Sequence, residues 1–299
     1  MRIRIPATTA NVGCGYDTFG LALAYYNYLD CREAERASVQ IIGQGSQHLP
    51  TDERNMMLRA AQAVYDEAGR GQAKLAFIAH NNIPLSRGMG SSSAAIVGGL
   101  CAANYLLGQP LSREKLLLMA TEIEGHPDNV APAIMGGFII CARDGQGQHI
   151  KRLALPQSLK AVLTIPDFFL STRKARAILP QSVAMEDAVF NLSHAALLAL
   201  ALAEGDLPGF GAMLQDRLHQ PYRFGLIPGA VEVAAAAKAA GALGCVISGS
   251  GPTMIAFHDG GQEQGSAIGL AMRQAFAAQR VDSRSLQPPM DNQGTIISG

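Results

Sequence analysis

The stretch Pro84-Leu85-Ser86-Arg87-Gly88-Met89-Gly90-Ser91-Ser92-Ser93-Ala94-Ala95 concentrates groups that bind anions. Gly88 and Gly90 let the backbone turn tightly and come close to a ligand. Three consecutive serines offer hydroxyls where an apolar run, 96–103, begins a buried helix. The first N–H groups of a helix have no internal partners and carry the positive end of its dipole. Glycines, free amides and hydroxyls at such a point make an anion site, most often for phosphate. The loop is not a Walker A motif, since no Gly-Lys-Ser/Thr closes it, and the dinucleotide spacing G-x-G-x-x-G fails at Ser93. The plain alternative is a Ser/Gly turn that starts a helix.

A second stretch, Glu124-Gly125-His126-Pro127-Asp128-Asn129-Val130-Ala131-Pro132-Ala133, packs two acids, a histidine and an amide into six residues between apolar helices. Polar groups crowded beside apolar segments are costly unless they face a site. A third, 7–17, is rich in short side chains and reads as a loop whose Thr, Asn and Asp face a ligand.

The elements that must hold these stretches follow from pattern and punctuation. Residues 2–5 alternate as a strand, and 19–28 and 38–42 read as further strands. Thr51-Asp52-Glu53 supplies a cap and acids before a helix over 56–68, which stops at Gly69 and Gly71. A strand ending over 75–78 feeds the glycine-serine loop. Its helix ends at Gly108-Gln109-Pro110, and Ser112 caps another that runs to about residue 124. Strands over 136–143 and 150–154 flank Asp144-Gly145 as a hairpin. Leu155-Pro156 divides the chain. Beyond it come a strand over 160–165, a helix between Ser171-Thr172 and Leu179-Pro180, and a long helix over 185–204. Another helix starts near Asp206, and Pro221-Tyr222-Arg223 lies in the connection after it. A helix over 228–240 and strands over 245–248 and 253–257, joined by Gly249-Ser250-Gly251-Pro252, precede a helix over 262–278. This order predicts a helix layer over an antiparallel sheet, a sandwich of ferredoxin type.

The 299 residues suffice for one large domain or two smaller ones. With 24 basic and 24 acidic side chains the net charge is zero, so no overall field draws nucleic acid or an anionic membrane. The most apolar helical stretch, 195–203, is too short to span a bilayer. Residues 1–5 lack the apolar region of a signal peptide. Five scattered cysteines without C-x-x-C spacing read as reduced thiols of a cytoplasmic protein.

Residues 84–95 resemble the phosphate loop P-x-x-x-G-L-G-S-S-A-A of the GHMP small-molecule kinases, with Met89 for Leu and Ser93 for Ala. Ser248-Gly249-Ser250-Gly251-Pro252-Thr253 is similar to that family's C-terminal glycine-rich motif, and residues 6–23 resemble its N-terminal substrate loop. The branch that phosphorylates homoserine is the nearest in four places: 6–17, Glu124 with 126–132, 175–180, and Pro221-Tyr222-Arg223. The likeness covers nearly the whole chain with its motifs in order. It implies an α+β fold of two domains, a ribosomal-protein-S5-like ATP-binding domain over 1–155 and a ferredoxin-like α/β sandwich over 156–299. It also implies ATP-dependent phosphorylation of the L-homoserine hydroxyl, with Mg2+, and often a homodimer.

By the same resemblance, Asn55 lies near the adenine and residues Pro84, Leu85, Ser86, Arg87, Gly88, Met89, Gly90, Ser91, Ser92, Ser93 and Ala94 bind the nucleotide. Ser91 or Ser92 and Glu124 are the metal ligands; a hydroxyl with one carboxylate suits Mg2+. Arg176 and Arg223 would grip the substrate carboxylate and Asp17 its ammonium. Asn11, His126, Asp128, Thr172 and Gly251 complete the pocket. Several relatives use an aspartate base with a lysine partner, and the N-terminal loop has no matching lysine. Asn129 is therefore assigned to positioning, beside Asp128, and the base is left unassigned. Two competing readings are another GHMP kinase, acting on threonine or an isoprenoid alcohol, and a non-catalytic ATP-binding sensor.

Overall fold

The computed structural model describes residues 1–145 and 147–299. Its first strand, β1 (Arg2–Ala10), runs on past residue 7, where the sequence predicts a loop, and pairs antiparallel with β2 (Phe19–Glu33). Thr8 and Thr9 show no alternation because both are fully buried and use their hydroxyls on distant partners. Thr8 Oγ1 donates to Asn129 Oδ1, and Thr9 Oγ1 is hydrogen-bonded with Ser248 Oγ. β3 (Ser38–Gly43) lies parallel to β4 (Leu75–Asn81), the strand that feeds the glycine-serine loop. Between them, α1 (Met56–Glu67) is capped by Asn55 and not by Thr51.

α2 (Ser91–Leu106) and α4 (Pro127–Met135) pack directly on β1 and β2, and α3 (Arg113–Glu124), capped by Ser112 as predicted, packs on both helices. The hairpin of β5 (Phe138–Asp144) and β6 (Gly147–Leu153) joins the sheet through β2.

The second half holds β7 (Lys160–Pro166), α5 (Thr172–Ala177), α6 (Met185–Glu204), α7 (Leu207–Ala212) and α8 (Gln220–Arg223). After these come α9 (Ala230–Ala239), β8 (Gly244–Ile247), β9 (Met254–His258), α10 (Gln262–Ala278) and β10 (Ser283–Leu286). Its sheet has the antiparallel order β10-β7-β9-β8, and α9 and α10 pack together over it. This is the predicted helix layer on an antiparallel sheet.

The chain then returns: β11 (Ile296–Ser298) pairs with β1, and Met290 bridges to Leu23. The end of the chain thus belongs to the first sheet, across the division expected at residue 155. One apolar core joins the halves, with Leu163, Phe210 and Phe257 in the same cluster as Ile3, Leu21 and Val97.

α6 is one continuous helix of 20 residues, so its whole length, unlike the stretch 195–203 alone, has the length and composition to cross a membrane. Little of it is buried. Met185 (78% exposed), Val189, Leu192 (72%) and Leu200 stand exposed within one arc of the helix.

Candidate active site

Gly90, at φ 72°, ends the glycine-serine loop as the N-cap of α2, and no side chain caps the helix. The loop's carbonyls are taken from behind. Arg87 O accepts from Thr253 N at 3.3 Å, Gly88 O from Ser248 Oγ at 2.7 Å and Met89 O from Thr8 N at 3.2 Å. Carbonyls pinned to β1 and to the 248–253 turn leave the amides at the head of α2 toward the cleft, where the dipole is positive. Such a surface holds an anion.

Glu124, the last residue of α3, faces the same point. Its Oε2 accepts from Ser92 Oγ at 2.8 Å and its Oε1 from Ser93 Oγ at 2.9 Å. Of the two serines offered by the sequence, Ser92 is therefore the one beside the carboxylate, and Ser93 is an addition; Ser91 lines the cleft. Among the described residues no three His, Cys, Asp or Glu side chains cluster as a metal site. A lone carboxylate flanked by hydroxyls suits a cation that keeps most of its waters.

The polar stretch after Glu124 forms the start of α4, with His126 as N-cap and Pro127 at the first position. Asp128, 1% exposed, accepts from His126 Nδ1 at 2.5 Å. Burial pulls His126 down, but the hydrogen bond and charge of Asp128 more than offset it, and the imidazole titrates above its ordinary value. A raised histidine contributes stability in full below about pH 6.5, its unfolded value, and loses it as pH rises through the folded value. His126→Gln should therefore fall short of the wild type in urea midpoint most at low pH, with the gap closing as pH climbs. A gap that widens with pH would mean that the neutral ring is the bonded form.

Neighbouring Asn129 is oriented by Thr8, which donates to its Oδ1 and leaves the amide Nδ2 for the cleft.

Across the cleft, the expected receptors for a carboxylate and an ammonium meet each other. Arg176 donates from Nη2 to Asp17 Oδ1 at 2.7 Å and from Nη1 to Asp17 Oδ2 at 2.8 Å, and Nη1 also reaches Tyr16 Oη at 2.9 Å. The hydrogen bond to Asp17 raises Arg176 above its ordinary value.

Arg223 is in the short helix α8 and not in a loop, and it is 1% exposed. Its Nε donates to Ala175 O at 3.1 Å and its Nη1 to Gly249 O and His219 Nδ1, both at 3.2 Å. His219 Nε2 donates to Gly13 O at 2.8 Å, so the ring is neutral, in keeping with burial, which lowers it. Asn11, at φ 69°, donates to Gly249 O and accepts from Asp17 N, fixing the loop that carries Asp17. Thr172 Oγ1 lies 3.3 Å from Ser250 Oγ at the rim.

One cleft is thus lined by Asn11, Asp17, the glycine-serine loop, Glu124, His126, Asp128, Asn129, Thr172, Arg176 and Arg223. Five expected residues do not line it. Ser93 is fully buried, with its hydroxyl on Glu124 Oε1. Asn55 spends both ends of its amide on the chain, accepting from Met57 N and donating to Pro50 O. Ala94 is buried in the core, and Leu85 lines a separate cavity. At Gly251 an added Cβ would meet Ile227 2.8 Å away, so this glycine serves packing; Gly249 and Ser250 face the cleft instead.

Tyr16, His219 and Asp216 are residues that sequence reasoning missed. Asp216 accepts from the backbone N–H of Leu218, His219 and Gln220 and from Asn191, and so fixes the turn that presents Arg223. The available signal was the density of polar residues at 215–220, directly ahead of Pro221.

Comparison with known proteins identifies the family. The GHMP kinases N terminal domain family matches residues 55–137, and the GHMP kinases C terminal family matches residues 198–278. The homoserine kinase of Moorella thermoacetica is 48% identical, with 99% of each chain covered. That of Gloeobacter violaceus is 44% identical, over 99% of this chain and 98% of its own. The crystal structure of homoserine kinase from Cytophaga hutchinsonii superposes with a TM-score of 0.90 at 33% identity, over 100% of this chain and 97% of that one.

Proposed function

This chain belongs to the GHMP kinases, among the homoserine kinases, and from that premise we propose how its cleft carries out the transfer. The enzyme moves a phosphoryl group from ATP to the side-chain hydroxyl of L-homoserine, giving O-phospho-L-homoserine and ADP, a step of threonine biosynthesis. One observation carries the assignment of roles. An anion receptor (the uncapped α2 with Glu124) lies in the same cleft as a zwitterion receptor, Asp17 with Arg176 and Arg223.

The amides from Gly88 to Ser93 hold the ATP phosphates. Glu124 and Ser92 hold Mg2+, whose chemistry when bound is to neutralise charge on the phosphates. Arg176 and Arg223 take the homoserine carboxylate and Asp17 its ammonium, with Asn11, His126, Asp128 and Thr172 completing the pocket. Asn129, held by Thr8, donates from Nδ2 and positions the hydroxyl. An amide removes no proton, and Asp128 is engaged by His126. A loose phosphoryl-transfer transition state needs little base assistance where positioning and charge stabilisation are good.

Measuring ADP release across a panel of amino acids and alcohols tests the reading. L-homoserine should be the best substrate by a wide margin. Equal turnover with threonine or an isoprenoid alcohol, or none at all, would overturn it.

Gly90→Val should weaken binding of an ATP analogue at least about 10-fold, the cost of one charge-assisted hydrogen bond. A Cβ there would lie 1.9 Å from Thr8 Oγ1, so the substitution displaces Thr8, and with it Asn129, as well as the loop. The positive φ adds about 1–2 kcal/mol of destabilisation for any non-glycine residue. Unchanged affinity in a folded variant would return the loop to a mere helix start.

The reading includes a homodimer, with a second copy covering the outer stripe of α6. Contiguous exposed apolar surface of this kind marks an interaction face. Sedimentation equilibrium should give twice the 31.5 kDa chain mass for the wild type and the single mass for Leu192→Lys. A monomeric wild type would sink the idea.

A further inference from the structure

A second cavity, of about 470 Å³, lies behind the phosphate loop between the two sheets. Pro84, Leu85 and Arg87 form one wall, and Ile165, Ser283 and Arg284 stand on the other. Its volume suits a small-molecule site. Arg87 is 7% exposed, and its Nη2 donates to Asp167 Oδ1 at 3.2 Å. Its Nη1 is buried and has no acceptor; Ser283, which lines the same cavity, also has its Oγ buried without a partner. Phe169, 71% exposed, lays its ring 4.1 Å from the Arg87 guanidinium, which covers the face of the group and leaves the in-plane N–H unmet. A buried donor left unpaired costs about 1–3 kcal/mol, more for a charged group. A second cation, Arg284, sits close enough to oppose the charge on Arg87, although burial is the larger cause of its lowered affinity for the proton.

We propose that this cavity is a second ligand site, which takes a small oxyanion through Arg87, Arg284 and Ser283 and bears on the phosphate loop. Guanidinium forks fit carboxylate and phosphate oxygens, and a serine hydroxyl supplies a third donor. Asp167 and Asp282 also line the cavity, which is therefore neutral overall; the ligand is drawn by direct hydrogen bonds and not by net charge. Leu85 and Arg87 flank Ser86, whose backbone is held at φ 52° and whose carbonyl accepts from Leu170 N. A ligand that engages Arg87 therefore acts on the loop that carries Gly88 and Gly90. That coupling rests on the loop's role in ATP binding, whereas occupancy of the cavity does not.

The chain has no tryptophan, so Phe169→Trp places its single indole on the rim of the cavity. This variant is saturated with Mg2+ and a non-hydrolysable ATP analogue, to keep added anions off the phosphate loop, and titrated with inorganic phosphate and with acetate at constant ionic strength. A saturable fluorescence change is expected. A response to both anions indicates a carboxylate-sized site, and a response to phosphate alone indicates a phosphate ester as the ligand. Arg284 is exposed and outside the catalytic cleft, so Arg284→Gln in the same background should keep basal turnover and weaken the anion at least about 10-fold. In the wild-type protein, occupancy should shift the affinity for the ATP analogue, and Arg284→Gln should abolish the shift. An unsaturable signal, an identical response in Arg284→Gln, or loss of the response once the analogue is bound would overturn the proposal. The last outcome would assign the cavity to the nucleotide. A saturable response with no shift in analogue affinity would overturn the coupling alone.

Discussion

Glu124→Ala is expected to fold as the wild type does and to lose about 100- to 1000-fold in turnover, the usual effect of removing a group aimed at charge in a phosphoryl or acyl transition state. The Mg2+ concentration needed for half-maximal rate should rise as well. The carboxylate accepts from Ser92 and Ser93 at the head of α2, where the phosphates of ATP would gather. Its removal strips charge and a hard oxygen ligand from the one place that needs both. Little stability should be lost. A negative charge at the C-terminal end of α3 is unfavourable to that helix, which suggests a residue kept for function. Glu124→Gln retains a hydrogen-bond acceptor for one serine but not the charge, and should be nearly as inactive as Glu124→Ala. Glu122, two residues earlier, is exposed, and Glu122→Ala should behave as the wild type. Near-normal turnover of Glu124→Ala at low Mg2+ would remove the residue from the metal site.

The sequence disclosed the glycine-serine loop ahead of α2, the second sheet and the caps at Ser112 and Ser171 because each depends on neighbours along the chain. What it hid depends on groups far apart in sequence. Thr8 and Thr9 look like loop residues; pairing with Ala22 and Leu21 of β2 makes a strand of them, and Asn129 and Ser248, more than a hundred positions away, engage their hydroxyls. Arg223 looks like one of many surface arginines until Ala175, His219 and Gly249 close around it. The network that presents it reaches from Asn191 to Cys14 O and from His219 to Gly13 O, contacts with no local pattern. Asn55 and Gly251 illustrate the opposite case. Their motifs match the family, yet their visible interactions are a helix cap and a packing contact. The motif singled out Glu124; its physical separation from exposed Glu122 lies in the face of α3 it occupies, which turns it to Ser92 and Ser93 of α2.

Arg176→Lys is expected to lower kcat/KM for homoserine by at least about 10-fold while affinity for the ATP analogue barely moves. In the structure Arg176 and Asp17 form a two-pronged ion pair, each about a third exposed. In the proposed arrangement homoserine would replace that pair, its carboxylate taking over Arg176 and its ammonium Asp17. A zwitterion restores two charge contacts for the two it breaks. A ligand with one charge leaves either Arg176 or Asp17 without a partner, so the opened pair itself rejects it. Lysine cannot reproduce the planar fork toward either partner. Two truncated substrates separate the halves. With 3-aminopropan-1-ol, which lacks the carboxylate, Arg176→Lys should add little further loss, because the arginine's partner is already gone. With 4-hydroxybutyrate, which lacks the ammonium, Asp17→Asn should lose nothing further and should even gain, because Arg176 is then released from its ion pair. On homoserine the same Asp17→Asn should be severely impaired. The change of sign between the two substrates is the feature that a purely structural role for Asp17 could not produce, and the comparison is a double-mutant cycle with one arm in the substrate. Equal losses on homoserine and 4-hydroxybutyrate would mean that Asp17 and Arg176 support the fold or the nucleotide, and both would then leave the substrate site.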